Sequence, residues 1–212
     1  MQLHYYPGNA SLIPHLVLEE LGVPFELVHV DRAQAAHKSP AYLALNPNGL
    51  IPVFADGDLV LYETAAICLH LADTHPAAGL APAPGTAARA QFYKWLMWLT
   101  NTLQPALIVY FYPERWATAP GAIAEVKAHA EARVGTLLDQ LEAELARHGG
   151  PWFGGEAFSL LDPYVLVLCR WTRGFGRPAR SLPHLGAYLQ RVLARPAAQR
   201  AFAREGLMAP LV

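Results

Sequence analysis

Along the first part of the chain the apolar positions switch repeatedly between a period of two and a period near 3.6, and each switch marks a short element. Gln2 to Tyr6 reads as a strand ended by the Pro7-Gly8 breaker. Behind Ser11, the residues Leu12, Leu16, Val17, Leu18 and Leu21 recur at helical spacing, and Gly22 stands where such a helix stops. Pro14 fits the first turn of that helix, where a missing N–H does no harm. Phe25 to Val30 alternates as a strand, and strand, helix, strand in this order predicts a parallel crossover.

A polar run from Asp31 leads to Ser39-Pro40, which opens a short helix over Ala41 to Leu45. The stretch from Asn46 to Ala66 then organises the first module. It reads as a loop, a strand entered through Pro52, a tight turn at Asp56-Gly57, a second strand, and a helix starting at Glu63-Thr64 and running to His75. Pro52 cannot donate to a ladder, so it belongs at the first residue of its strand or on an edge. A cis Ile51-Pro52 bond would leave the Ile51 N–H and C=O to a ligand instead of a neighbouring strand. The free N–H groups and positive dipole end at Glu63-Thr64 suit a carboxylate, so a peptide with a free carboxylate fits between these two features.

Beyond the Pro/Gly/Ala-rich linker at 78–85 no strand is predicted. Thr86 to Trp116 is a long aromatic-rich helical stretch, bent at Pro105 and ended near Pro113. Ala122 to His148 is amphipathic, with Leu137, Leu138, Leu141 and Leu145 inward and Gly149-Gly150 closing it. Ser159 and Asp162 form a Ser-x-x-Asp cap on an apolar helix reaching about Trp171. Two shorter helices, over 182–193 and 196–205, complete a layout of an α/β domain (1–77) followed by an all-helical one (86–212).

Composition narrows the partners. With 53% hydrophobic and 16% charged residues the chain of 212 residues is globular, with enough length for a sizeable core. A formal charge of −1 argues against nucleic acid or an anionic membrane as partner. No apolar run approaches the roughly 18 residues a bilayer span requires, and the first residues lack the pattern of a secretion signal, so the expected location is the cytoplasm. Cys68 and Cys169 sit in apolar helical runs and read as small buried hydrophobes. Neither they nor the nine scattered histidines have ligand spacing, so no metal is expected.

Three motifs carry a family resemblance: Asn46-Pro47 with Gly49 and then Ile51-Pro52; Glu63-Thr64-Ala65-Ala66-Ile67; and Ser159 to Asp162 followed by an apolar helix. In this order around a mid-chain linker, they make the chain resemble the cytosolic glutathione transferases over essentially its whole length. The start, Tyr5 to Leu16, is most similar to the bacterial branch of that family, in which a cysteine directly precedes the serine; here Ala10 takes that place, removing the nucleophile of any mixed-disulfide chemistry. The resemblance implies a thioredoxin-like N-terminal domain that binds glutathione as cosubstrate, an all-helical C-terminal domain, a hydrophobic electrophile pocket and a homodimer. The implied activity is conjugation of the glutathione thiolate to hydrophobic electrophiles, with peroxide reduction as a side activity. Alternative readings are a non-catalytic glutathione- or ligand-binding protein of the same fold and a glutathione-dependent isomerase or lyase.

Conjugation needs the thiol as thiolate, and a hydroxyl at a helix N-terminus favours that form. Ser11, directly ahead of the first helix, is the leading donor, with an ordinary helix cap as its alternative; Tyr5, at the end of the first strand, is the rival. Tyr6 and Asn9 rank below them as loop residues. The resemblance assigns Thr64 to the γ-glutamyl carboxylate, Glu63 to the ammonium, and Ile51, beside Pro52, to the cysteinyl backbone. Lys38, His37 and Asn48 are the candidates for the glycyl carboxylate. Leu107, Tyr110, Tyr112 and Trp116 are the candidate walls of the electrophile pocket.

Overall fold

The computed structural model describes all 212 residues, 1–212. The N-terminal unit is built on a four-stranded sheet, β1 (Gln2–Tyr5), β2 (Glu26–His29), β3 (Val53–Asp56) and β4 (Leu59–Tyr62), in the order β2-β1-β3-β4. The crossover helix α1 (Leu12–Leu21) joins β1 to β2, which pair in parallel with Leu3 opposite Leu27. β3 runs antiparallel to both β1 and β4. The hairpin turn falls at Gly57-Asp58, one residue later than the pattern suggested, because Gly57 supplies the positive φ that a two-residue turn needs at its first position. α2 (Pro40–Leu45) and α3 (Thr64–Thr74) complete the thioredoxin-like layout. Leu3 and Phe54, paired across β1 and β3, and the helix residues Leu12, Ile13, Leu16 and Val17 of α1 and Ile67, Cys68 and Leu71 of α3 are all buried, while Val53 faces the other side of the sheet, where it packs with Val30, Tyr42 and Ile51.

The second unit, Pro82–Val192 with Pro210–Val212, is all helical: α4 (Ala87–Trp98), α5 (Gln104–Phe111), α6 (Pro120–His148), α7 (Leu161–Trp171) and α8 (Pro183–Leu193). The bend expected at Pro105 takes the form of a π-helical turn, Leu99–Leu103. Proline lacks an N–H and its ring crowds the carbonyl four residues back, so widening the turn keeps the helix running where a regular turn would clash. α7 is buried on nearly every side and is pinned by Asp162, whose carboxylate accepts from the N–H groups of Phe153 and Ser159 (2.8 Å each) and from the Tyr188 hydroxyl (2.8 Å). Burial and the neighbouring Asp162 push the Tyr188 phenol well above its usual range, so it stays a donor. Burial likewise raises both cysteine thiols, which keeps them inert. No helix is long and apolar enough to cross a membrane.

The C-terminal helix departs from the linear layout. The segment Leu193–Ala209, carrying α9 (Pro196–Arg204), belongs to the N-terminal unit and not to the helical one. Its grip on α1 is polar as well as apolar. The Glu19 carboxylate accepts from Arg200 Nε and Arg204 Nη1 (2.7 Å each), Arg195 forks onto Glu20 (2.6 and 2.7 Å), and the Arg204 guanidinium lies 4.5 Å from the Phe25 ring centre. The buried Glu205 carboxylate then reaches His15 Nδ1 (2.8 Å) and the Gly8 N–H (2.8 Å).

Burial works against the charged form of Glu19, but the hydrogen bonds from Arg200 and Arg204 outweigh it and hold its pKa below the ordinary glutamate value. A folded-state pKa below the unfolded one adds stability that is complete above the unfolded value near about 4.3 and drains away as pH falls through the lower folded value. Glu19→Gln should therefore cost about 1 kcal/mol at neutral pH. In urea titrations the gap between wild type and variant should close as pH drops below about 4; a gap independent of pH would remove the charge from the account.

Candidate functional site

One end of the site is the turn between β1 and α1. Here the Asn9 N–H reaches back to the Tyr6 carbonyl (3.1 Å), and the Leu12 and Ile13 N–H groups bond the Asn9 and Ala10 carbonyls (3.0 and 3.1 Å). Ser11 has no accessible surface, and its Oγ both accepts from the Tyr6 N–H and donates to the Tyr6 carbonyl (3.1 Å each). The hydroxyl thus closes the turn sideways and makes no cap bond to α1, contrary to the capping alternative. The hydroxyl has one proton, and within the chain its acceptor is the Tyr6 carbonyl. Asn9 Oδ1 accepts from the Ala10 N–H (2.5 Å), and Ala10 is buried. Tyr5 is half-buried with its ring edge-on to His29 (5.7 Å between centres), while the Tyr6 ring stacks on His29 (5.8 Å) with the Arg32 guanidinium 5.5 Å from its centre. His15, in the first turn of α1, is fully buried.

The other end is the loop that enters β3. Asn46 shapes it: its side-chain N–H₂ donates to the Leu50 carbonyl (2.9 Å), its Oδ1 accepts from the Asn48 N–H (3.0 Å), and its own carbonyl takes the Gly49 N–H (2.9 Å). The Tyr42 hydroxyl adds a second bond to Leu50 O at 2.9 Å. Gly49 has φ +58, and a Cβ there would lie 2.7 Å from Lys38 Nζ and 2.9 Å from the His37 carbonyl, so glycine lets the turn carrying His37 and Lys38 close over it. Ile51-Pro52 is cis, and the Ile51 N–H and C=O make no hydrogen bond within the chain. Its side chain packs with Val30, Tyr42 and Val53, and Tyr6 packs against the same cluster, which joins the two ends of the site.

The β3–β4 register supplies the third part. The pairing ends at Val53 and Tyr62, so cis-Pro52 and Glu63 are the first residues beyond it on either side, followed by Ile51 and Thr64. Glu63 is held at φ 70, ψ 110, which turns the chain sharply into α3, and its side chain is exposed. Thr64 is mostly buried, and the first N–H used inside the helix is that of Ile67, bonding the Glu63 carbonyl at 3.0 Å. The N–H groups of the first turn are therefore free for a ligand.

Lys38 Nζ donates weakly to the Asn48 carbonyl (3.3 Å), which brings Lys38, His37 and Asn48 to one loop edge. Burial, with Lys38 and Arg32 nearby, lowers the His37 pKa, so the ring is neutral at pH 7 and Lys38 is the cation of that edge. In the helical unit the Tyr110 ring packs tilted against Phe175 (4.1 Å between centres) under Lys127 (4.9 Å), Arg115 covers the Tyr112 ring (4.2 Å), and Trp116 is 53% exposed. Leu107 is different: it has no exposed surface and belongs to the core of the helical unit, so it is not a pocket wall. The residues that sequence reasoning missed are Gly8 and Glu205, joined by a hydrogen bond across 197 positions, for which no local pattern exists.

Two family models match the chain: the N-terminal domain of glutathione S-transferases over residues 1–73 and their C-terminal domain over 124–191. Among curated proteins the chain is 33% identical to glutathione S-transferase GST-4.5 of Xanthomonas campestris pv. campestris, covering 98% of this chain and 100% of that one. It is 30% identical to GstA of Escherichia coli O157:H7 with the same coverage of both chains. Among solved structures, a glutathione transferase homologue from Sulfitobacter with bound glutathione superposes with a TM-score of 0.88 at 31% identity, covering 98% of each chain. A sphingomonad glutathione S-transferase complexed with glutathione gives 0.84 at 37% identity, covering 98% of this chain and 100% of that one.

The paired Ser11–Tyr6 bonds are inaccessible to water, so their loss is not made good by solvent. Ser11→Ala should lower stability by about 1–3 kcal/mol, read as a shift of the urea midpoint; an unchanged midpoint would show that the turn holds without them.

Proposed function

Because the chain belongs to the glutathione S-transferase family, we propose that it joins the thiolate of glutathione to hydrophobic electrophiles, with the tripeptide lying along the β3 entry and its acidic head at α3. The observation that carries this reading is that the unpaired Ile51 backbone and the open first turn of α3 both leave the same end of the β3–β4 pair, where Val53 meets Tyr62. The cysteinyl N–H and C=O pair with Ile51 as one more residue of a ladder. The γ-glutamyl carboxylate sits on the first-turn N–H groups with the Thr64 hydroxyl, while Glu63 faces the ammonium. The glycyl carboxylate is drawn to Lys38, supported by Asn48.

In the reaction the thiol proton passes to water, the sulfur electron pair forms a bond to the electrophilic carbon, and the displaced group leaves with its bonding pair. Where the electrophile is an activated alkene, the resulting carbanion takes a proton from water. The enzyme's task is to keep the sulfur anionic near neutral pH and to hold it beside the acceptor. Tyr110, Tyr112 and Trp116 offer the apolar, aromatic surface for that acceptor.

The chain works as a homodimer in this reading. β4 is an edge strand, yet it exposes Leu59 (38%), Val60 (40%) and Tyr62 (37%), an apolar row that an edge strand keeps only when something covers it.

Calorimetry with glutathione, together with an assay on 1-chloro-2,4-dinitrobenzene, tests the activity; heat of binding without turnover would leave only a binding protein. Thr64→Ala should weaken glutathione affinity about tenfold with kcat little changed, as expected for one lost hydrogen bond to a carboxylate. An unaltered Kd takes Thr64 out of the site. Val60→Lys should turn the dimer into monomers by sedimentation equilibrium at micromolar concentration, and a mass unaffected by the substitution would move the interface elsewhere.

A further inference from the structure

We propose that the carboxamide of Asn9 is the group that donates a hydrogen bond to the glutathione sulfur, in place of the Ser11 or Tyr5 hydroxyl. The inference rests on the reading that glutathione binds with its cysteinyl unit at Ile51. Tyr6, the first residue of the turn that ends at Ser11, packs against the same side-chain cluster as Ile51, and on this reading the turn is the segment that supplies the donor to the thiol.

The donors of the turn can be taken in order. Pro7 has none, and the Gly8 N–H is given to Glu205. Ala10 is a buried methyl whose N–H is given to Asn9 Oδ1. The Ser11 hydroxyl is buried and spends its one proton on the Tyr6 carbonyl while accepting the Tyr6 N–H. To turn toward a ligand it would have to break both bonds and strand two backbone groups. Asn9 is half-exposed, and the bond from Ala10 fixes the oxygen arm of its planar amide. The nitrogen arm, with two hydrogens, has no acceptor in the chain. Its orientation is thus set before any ligand arrives, which is what a donor aimed at developing or resident negative charge requires.

The amide is neutral and takes no proton itself. It favours the thiolate by donating to it, while the thiol proton goes to water. An asparagine one position before the buried Ala10 therefore supplies what a side chain at position 10 does not.

The test is the titration of enzyme-bound glutathione followed by thiolate absorbance near the ultraviolet edge, on three variants alongside wild type. Asn9→Asp keeps an oxygen for the Ala10 N–H but removes the donor and adds a charge. Asn9→Ala removes the donor without a charge. Both should raise the apparent pKa of the bound thiol by about one unit or more, lower kcat/KM at pH 6.5 about tenfold or more, and leave the glutathione Kd within about threefold. Tyr5→Phe should leave the titration at its wild-type position. A shift in Asn9→Asp alone, fading at high salt, is the mark of a nearby charge and overturns the proposal; so does a shift in Tyr5→Phe with Asn9→Ala unchanged. Should Asn9→Ala melt below the assay temperature, Asn9→Ser decides, because a shorter donor gives an intermediate titration if the hydrogen bond is the cause and a wild-type one if it is not. If wild-type protein takes up no glutathione by calorimetry, the binding reading falls and this one falls with it.

Discussion

Four residue pairs between β3 and β4 hold the candidate site in register. Because side chains and hydrogen-bonding groups alternate along a strand, a slip of one residue would exchange every inward and outward position. Val53 and Phe54 resist that slip from opposite faces of the sheet, since it would move each out of its own packed cluster and into the other, which is shaped for a side chain of different size. The same lock brings Pro52 and Glu63 out of one end of the hairpin, so packing on both faces of the sheet fixes the frame from which Ile51 and Thr64 continue.

The loop geometry follows from that lock. Asn46 uses both arms of its side chain on Leu50 and Asn48, and Gly49 makes room for Lys38 and the His37 carbonyl. A polar side chain that is itself buried and fully used rigidifies the backbone around it. The segment before β3 is therefore preformed, and a ligand pairing there would not have to order it first.

On the opposite side of α1, the chain's last helix returns to the domain that opens it. Glu19, Glu20 and Glu205 meet Arg200, Arg204, Arg195 and His15, and the Glu205 carboxylate reaches through to the Gly8 N–H in the turn between β1 and α1. The turn is thus held from two directions, by Ser11 within it and by Glu205 from the far end of the sequence. Ser11 is part of the framework of the turn, and Asn9, the proposed donor to sulfur, stands two residues before it.

Much of this was legible in the chain itself. Apolar period gave the strands, the crossover helix, the hairpin and the long amphipathic α6, and Gly22, Gly57 and Gly149 marked turns and ends because each needs a positive φ. The motif around Asn46 and the helix start at Glu63-Thr64 were visible because their physics is local: a side chain bonding its own loop, and N–H groups left over at a helix end. The destination of α9, the burial of Leu107 and the true bond of Ser11 were not. A helix that packs on a domain or on its neighbour has the same periodicity, and a serine before a helix looks like a cap until the partner of its oxygen is known. Sequence determines which groups are available and how each short segment bends; only the assembled fold decides which donors are spent, because that depends on groups brought together from distant positions, as Gly8 and Glu205 are.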